Sequence, residues 1–388
     1  MKKCLIISNN LSLFQLLLPK FASLKFRLLT TTMKKHNYSA GPSILPQEVF
    51  EKASKAILNF NDSGLSILEI SHRSKDFVAV MDEARSLALQ LLGLEGKGYQ
   101  ALFLQGGAST AFLMAPYNLM KENGKAAYLD SGTWATAAIK EAKLFGETVV
   151  VASSKDDNYT YIPKGYTIPS DADYFHCTSN NTIFGTQMKE FPTTNIPVVC
   201  DMSSDIFSRV LDFSKFDLIY AGAQKNMGPA GTTLVVVKEE ILEKSGRTIP
   251  SMLDYAKHIK AESMYNTPSV FAVYVSLLTL QWIKEKGGVA AVEKLNNAKA
   301  ELLYTEIDRN PLFKGAAAVE DRSNMNVTFL LTNPDHTATF DALWKEAGIS
   351  GLPGHRSVGG YRASIYNAMP IESVQVLVDV MKALESKV

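Results

Sequence analysis

Tyr220-Ala-Gly-Ala-Gln-Lys-Asn-Met-Gly-Pro-Ala-Gly231 holds a single lysine, Lys225, in a run of glycine and alanine. The apolar run Leu218-Ile-Tyr220 leads into it and another, Leu234-Val-Val-Val237, follows. Strand, small-residue loop and strand is the pattern by which a sheet presents one side chain at its lip. Small neighbours let a bulky ligand approach the backbone. Most lysines are solvated surface residues, so Lys225 gains meaning only from what stands upstream.

Upstream, Ile196-Pro-Val-Val-Cys-Asp201 ends an apolar run on an aspartate. Alone, such an aspartate caps a turn. A lysine and an aspartate closing neighbouring strands have a sharper joint reading. Pyridoxal phosphate needs a lysine for its Schiff base and a carboxylate to keep its pyridinium nitrogen protonated. It also needs a phosphate cradle. Leu102-Phe-Leu-Gln-Gly-Gly-Ala-Ser-Thr-Ala111 supplies strand, glycine turn and helix start in that order, and the first amides of a helix attract phosphate. The fourth requirement is a surface for the ring. Trp134, in Asp130-Ser-Gly-Thr-Trp134, follows the apparent strand Ala126-Ala-Tyr-Leu129 and offers a stacking face.

With these segments quoted, the chain resembles the phosphoserine aminotransferases, fold-type I pyridoxal-phosphate enzymes of the class V aminotransferase group. Further segments carry the resemblance: Asn37-Tyr-Ser-Ala-Gly-Pro-Ser-Ile-Leu-Pro46, Glu69-Ile-Ser-His-Arg-Ser-Lys-Asp-Phe77, Asp201-Met-Ser-Ser204, Tyr265-Asn-Thr-Pro268 and Gly354-His-Arg-Ser-Val-Gly-Gly-Tyr-Arg-Ala-Ser-Ile-Tyr-Asn-Ala-Met369. The likeness spans about residues 36–388. It implies Lys225 as the Schiff-base lysine, Asp201 as the pyridinium partner and Trp134 as the stacking ring. It further implies Thr182 as donor to the cofactor's phenolate oxygen, with Ser203 in the Asp201 motif also among the cofactor-binding residues. Ala108, Ser109 and Gln224 are implied as phosphate ligands, joined by Asn266 and Thr267 from a second subunit. One departure is Asn181, where relatives often carry an acid.

Two His-Arg pairs, His72-Arg73 and His355-Arg356, stand out, and Arg362 follows the second. Singly they read as solvated loop residues. Arginine forks match carboxylate and phosphate alike, and a ping-pong site binds both in turn. The resemblance implies that Arg362, helped by Ser39, holds the α-carboxylate. It assigns the phosphate or side-chain carboxylate to His355 and Arg356, with His72 and Arg73 from the neighbouring subunit. The expected protein is therefore a homodimer with shared active sites. It acts on glutamate, phosphoserine and their 2-oxo acids in serine synthesis. The family also commonly uses 3-hydroxy-2-oxo-4-phosphooxybutanoate in pyridoxine synthesis.

Composition bounds the other classes. The 388 residues are 46% hydrophobic and 20% charged with a net charge of +1, which permits a large core and argues against a nucleic-acid surface. Three cysteines, Cys4, Cys177 and Cys200, make no disulfide framework and fit a reducing, cytoplasmic setting. No Cys/His spacing suggests a metal. Residues 1–32 carry Lys2, Lys3, Lys20, Lys25 and Arg27 and no acid. This start imitates a targeting peptide, but its apolar run is far too short to span a membrane. The expectation is an extension outside the fold, arising from a mis-assigned upstream start or left disordered.

Strand-like runs at 101–104, 126–129, 147–151, 173–177, 196–200, 217–220 and 233–237 alternate with helical ones. That pattern predicts an α/β large domain with a mostly parallel seven-stranded sheet between helices, with ligands beyond the carboxyl ends of the strands. Pro46 opens a helix with Val49, Phe50, Ala53, Ile57 and Phe60 expected on one buried face. A long amphipathic region over 269–309, interrupted at Gly287-Gly288, leads to a smaller α+β domain beginning near 294. There 325–331 reads as a strand, and 337–347 and 371–384 read as helices. The divisions are an N-terminal segment 33–45, a large domain 46–293 and a small domain 294–388. A cysteine desulfurase needs a nucleophilic cysteine on a mobile loop, which neither Cys177 nor Cys200 provides. An alanine–glyoxylate type aminotransferase needs no phosphate site, and a non-catalytic binding protein on this fold would have no need of Lys225 and Asp201.

Overall fold

The seven apolar runs become one sheet. In this computed structural model, which describes residues 35–388, the strands are β1 (Tyr99–Leu104), β2 (Lys125–Asp130), β3 (Glu147–Ser153), β4 (Phe175–Thr178), β5 (Val198–Asp201), β6 (Leu218–Gly222) and β7 (Thr233–Lys238). Their order is β1-β7-β6-β5-β4-β2-β3. Only β7 runs antiparallel to its neighbours; the other pairings are parallel. Six strands therefore end at one edge, and five of them lead into Gln105, Asp130, the Asn180–Thr182 segment, Asp201 and Lys225. The expectation for residues 1–32 lies outside the described residues.

Alternate side chains enter two cores. Ala101, Phe103, Ala127, Leu129, Phe175, Cys177, Cys200 and Ile219 face one cluster. Leu102, Leu104, Ala126, Tyr128, Tyr174, Val199, Leu218 and Tyr220 face the other. A sheet covered on both faces needs such apolar strands. One cover is α1 (Gln47–Leu58), α2 (Lys75–Leu92) and α7 (Val270–Glu285), with α7 packed on both of the others. On the other side lie α3 (Gly107–Leu119), α4 (Thr133–Ala142) and α6 (Tyr255–Lys260). Ser74 caps α2 by accepting from Phe77 N, and Gly93 ends it in the left-handed conformation at φ 66°.

Helix α8 (Gly288–Arg309) passes from one core to the next. Its Val289 and Val292 join the sheet core. Its Ala300, Leu303 and Ile307 join a separate cluster with Phe313, Val327, Phe329, Phe340, Tyr361 and Leu377. That cluster lies within a three-stranded antiparallel sheet, β8 (Phe313–Gly315), β9 (Asn326–Leu331) and β10 (Tyr361–Ser364), and the helices α9 (Thr337–Glu346) and α10 (Ile371–Glu385).

Four local expectations need correction. Phe50 is 46% and Ile57 37% exposed; in α1 the buried residues are Val49, Ala53 and Ala56, because periodicity marks a face without saying how far its cover extends. Helix α7 is not amphipathic but buried nearly all round, being sandwiched by α1, α2 and α8. Strands β8 and β10 were not foreseen; three- and four-residue edge strands show too little alternation. Finally, the loop bearing Lys225 contains one helical turn, α5 (Ala223–Asn226), which small residues permit.

Candidate active site

The carboxyl edge of the sheet opens into a cavity of about 420 Å³. Its walls include Ala108, Ser109, Trp134, Thr182, Asp201, Ser203, Gln224, Lys225, His355 and Arg362. Each arrives by a different route. Lys225 sits in the turn of helix that follows β6, where Gly228 N and Met227 N donate back to Ala223 O. Ser43 N donates to Gln224 O at 2.9 Å, and Ser43 Oγ donates to Lys225 O, so an N-terminal strap holds the lysine's backbone from the other side. A Cβ on Gly41 would lie 3.4 Å from Lys225 Cγ.

Asp201 ends β5 and is 5% exposed. Its Oδ1 accepts from Ser203 N at 2.9 Å and Ser203 Oγ at 2.6 Å, and Gly222 N donates to Ser203 Oγ at 3.1 Å. Burial pushes the Asp201 carboxyl up from its ordinary value, while the Lys225 ammonium and the Ser203 donors oppose the shift. Burial also pushes Lys225 down, with Asp201 opposing and Arg362 adding to the fall. A lowered lysine is a larger fraction free amine, the form that attacks a carbonyl.

The cradle forms at the start of α3. Gly106 stands at φ +98° before it, and a Cβ there would fall 2.0 Å from Thr110 Oγ1. The following amides lead the helix with no acidic residue in the first turn, which suits a phosphate. Trp134 enters from the first turn of α4, its ring centroid 5.4 Å from Lys225 Nζ. Its indole N–H donates to Thr182 Oγ1 at 3.2 Å.

Arg362, on β10, reaches into the same cavity. Nη1 donates to Thr182 O at 3.1 Å, while Nε is buried without a partner, and burial lowers the guanidinium pKa. A charged group with an unused, desolvated donor is arranged for an anion that the fold itself does not supply. His355 Nδ1 lies 2.7 Å from Ser357 Oγ and accepts from Ser357 N at 3.3 Å. Burial, Arg362 and Arg356 hold its pKa down, and a neutral ring whose Nδ1 accepts from Ser357 N carries its proton on Nε2.

Pyridoxal phosphate fits this set. The walls offer an aromatic face, a buried carboxylate, an amine with lowered proton affinity and a helix start, in a cavity within the usual ligand range of about 300–1,000 Å³.

Six other candidate residues lie outside the cavity wall within one chain. Ser39 is half-buried, and its N–H is held by Asn37 Oδ1 at 3.0 Å. Arg356 is exposed. His72 is 9% exposed with Nε2 unpartnered, beside an exposed Arg73. Asn266 Nδ2 donates to Thr267 O at 3.3 Å. Gln105 Nε2 donates to the same carbonyl at 2.7 Å. Asn181, the family departure, donates to Thr186 Oγ1 at 3.1 Å and leaves Oδ1 buried without a partner.

Ala40, Gly41, Phe112 and Ile183 line the cavity without having been singled out in the sequence. Phe112 follows Ala108 by one helical turn, a signal that i, i+4 spacing carries. Among the described residues no group of three or more His, Cys, Asp or Glu side chains forms a metal site. None of the described helices is long and apolar enough to cross a membrane.

The fold and this cavity define a class, and comparison with known proteins agrees. The aminotransferase class-V family profile matches residues 36–377. The chain is 94% identical to phosphoserine aminotransferase of Flavobacterium johnsoniae over 356 residues, covering 92% of this chain and all of that protein. Among solved structures, phosphoserine aminotransferase from Bacillus circulans subsp. alkalophilus superposes with a TM-score of 0.89 at 45% identity, covering 92% of this chain and 99% of the other. A PLP-bound phosphoserine aminotransferase from Trichomonas vaginalis gives 0.85 at 37%, covering 90% and 100%. The chain belongs to the class-V aminotransferases and, among them, to the phosphoserine aminotransferase family.

Proposed function

We propose that this chain is a pyridoxal-phosphate-dependent phosphoserine aminotransferase. It moves an amino group between glutamate/2-oxoglutarate and O-phospho-L-serine/3-phosphohydroxypyruvate, the second step of serine synthesis by the phosphorylated route. The observation that carries the reading is one cavity walled by Lys225, Asp201, Trp134 and Arg362, in a chain 94% identical to a phosphoserine aminotransferase.

When bound, pyridoxal phosphate supplies an aldehyde that condenses with amines and a ring that accepts electrons. The chain does the rest. Lys225 Nζ would hold the cofactor through its aldehyde, and as a free amine would move the proton to and from the substrate Cα. The Asp201 carboxylate holds a proton on the ring nitrogen, and Ser203 keeps that carboxylate aimed. Trp134 would offer its face to the cofactor ring, and the Thr182 hydroxyl would donate a hydrogen bond to its phenolate oxygen. The α3 start, Ser109 and Gln224 take the phosphate. Arg362, with Ser39, binds the α-carboxylate. The neutral His355 donates Nε2–H to the distal phosphate or carboxylate, joined by Arg356.

The exposed Arg73, the unpartnered His72 and the Asn266–Thr267 turn stand outside their own chain's cavity. This supports a homodimer in which each subunit completes its neighbour's site. A cytoplasmic enzyme acting on small molecules, without nucleic acid or membrane, suits this chemistry. We place the large domain at 46–293 and the small one at 294–388.

A single-turnover substrate panel tests the activity. The cofactor-loaded protein should change its visible spectrum with glutamate and with phosphoserine at least about 100-fold faster than with alanine, the discrimination that a site built for a second anion gives. Equal rates with alanine would refute the phosphoserine reading and favour an alanine–glyoxylate type enzyme.

A further inference from the structure

Asn367, five residues beyond Arg362 and 6% exposed, joins three parts of the site. Its backbone N–H donates to Asn226 Oδ1 at 3.0 Å, and Asn226 directly follows Lys225. Its Nδ2 donates to Phe207 O at 3.0 Å. Its Oδ1 accepts from Asn296 Nδ2 at 2.8 Å, and that amide also donates to Ser208 O at 2.9 Å.

Phe207 is fully buried and stands at φ +58°. This is costly for a bulky side chain and persists only where the surroundings hold it. It belongs to the turn that leaves Asp201, where Ile206 N donates to Met202 O at 2.9 Å and Ser208 N to Asp205 O at 3.1 Å. Asn226 Nδ2 grips the same turn through Ile206 O at 2.6 Å. The two asparagines thus hold one strained turn from the Lys225 side and from the Arg362 side. The segment around Asn367 is itself fixed. Lys299, 1% exposed, donates to Ile365 O at 2.9 Å and Tyr366 O at 2.7 Å. Tyr366 OH donates to Ala40 O, on the cavity wall, at 2.8 Å.

We propose that Asn367 is a positioning residue that holds the Asp201 turn and the Lys225 helix in register with the Arg362 strand. For packing alone, a buried leucine would fill this place. The asparagine instead satisfies the Phe207 carbonyl, which would otherwise be free to release the strained turn. Releasing it shifts Asp201 relative to Lys225, and misplacement of reacting groups by about 1 Å costs about 100-fold in rate. The proposal rests on the assignment of Lys225 and Asp201 made above.

The test compares Asn367→Ala, Asn367→Asp and a control, Asn310→Ala. Asn310 is equally buried and donates to Glu306 Oε1 at 3.0 Å and Met381 O at 3.3 Å, but it touches neither the Asp201 turn nor α5. Three quantities are read: the melting temperature without cofactor, the pH midpoint of the visible absorption of the resting holoenzyme, and kcat with KM. All three variants should melt a few degrees lower. Only the Asn367 variants should move the pH midpoint, by about half a unit or more. They should also lower kcat about tenfold while KM for glutamate stays within about twofold. If Asn367→Ala melts lower with an unmoved midpoint and kcat, as the control does, Asn367 is only structural and the proposal fails. If Asn367→Ala does not fold, Asn367→Asp decides on the same readings, since it keeps the shape and the acceptor for Asn296 but lacks the donor to Phe207 O. Failure of the Lys225 assignment is seen separately, as a visible band that survives Lys225→Ala.

Discussion

Thr182 takes the Trp134 indole N–H on its hydroxyl oxygen at 3.2 Å and offers its carbonyl to Arg362 at 3.1 Å. One residue thus ties the stacking surface to the anion-binding arginine. Thr182→Val removes the hydroxyl while keeping the shape. The cofactor dissociation constant should rise about five- to tenfold, the worth of about 1 kcal/mol for one hydrogen bond. Trp134→Phe should cost at least as much, and the double variant less than the sum, because the two share a bond. Equilibrium titration with pyridoxal phosphate checks this; fully additive losses would show that the bond is idle.

Gly106 stands where an added Cβ would meet Thr110 Oγ1 at 2.0 Å, on a backbone at φ +98°. Gly106→Ala should therefore deform the cradle. We expect about 1–3 kcal/mol of lost stability and a cofactor affinity reduced at least tenfold, read by thermal melting and by titration. Near-native affinity would mean that the helix start is not the phosphate site.

The sequence made the large sheet legible because seven apolar runs each end in a polar or glycine-rich turn, and a doubly covered sheet demands that pattern. Lys225, Asp201, Trp134 and Arg362 were legible because each lies in a short, distinctive motif, and one cavity brings them together. Asn226, Asn296 and Asn367 were not. A lone asparagine reads as a turn residue, and only three-dimensional proximity shows that these three hold the turn after Asp201. The exposure of Phe50 and Ile57 was equally hidden, since the 3.6-residue period marks a face but not its cover.

Lys299 is buried among carbonyls, and burial lowers its pKa from 10.5 to about 7. Below pH of about 7 the amine is protonated folded and unfolded, and the cost of burying the charge is fully present. Between about 7 and 10.5 the unfolded chain binds the proton while the folded chain does not, so this group's contribution makes stability rise with pH. Relative to Lys299→Met, wild type should gain up to about 1.4 kcal/mol per pH unit over that window. Denaturant unfolding of both proteins at acidic and alkaline pH checks this; a difference that shrinks or stays constant would contradict it.

Arg73, exposed in its own chain, should act in the partner's site. Lys225→Ala and Arg73→Ala chains, each nearly inactive toward phosphoserine, should complement on mixing. One site of the mixed dimer inherits both defects and the other neither. Activity should return to about a quarter of wild type per total site when equal amounts exchange at random. If mass measurement confirms exchange and no activity returns, Arg73 acts within its own chain.

The central claim is that Lys225 both binds the cofactor and moves the proton. The direct measurement is the visible spectrum and the glutamate half-reaction of Lys225→Ala beside wild type, after both are loaded with pyridoxal phosphate and gel-filtered. The account predicts a folded variant that has lost the wild-type absorption band and turns over at least about a thousandfold more slowly, a loss of about 4 kcal/mol in transition-state stabilisation. A variant that keeps the band, or whose rate stays within about tenfold of wild type, would contradict it.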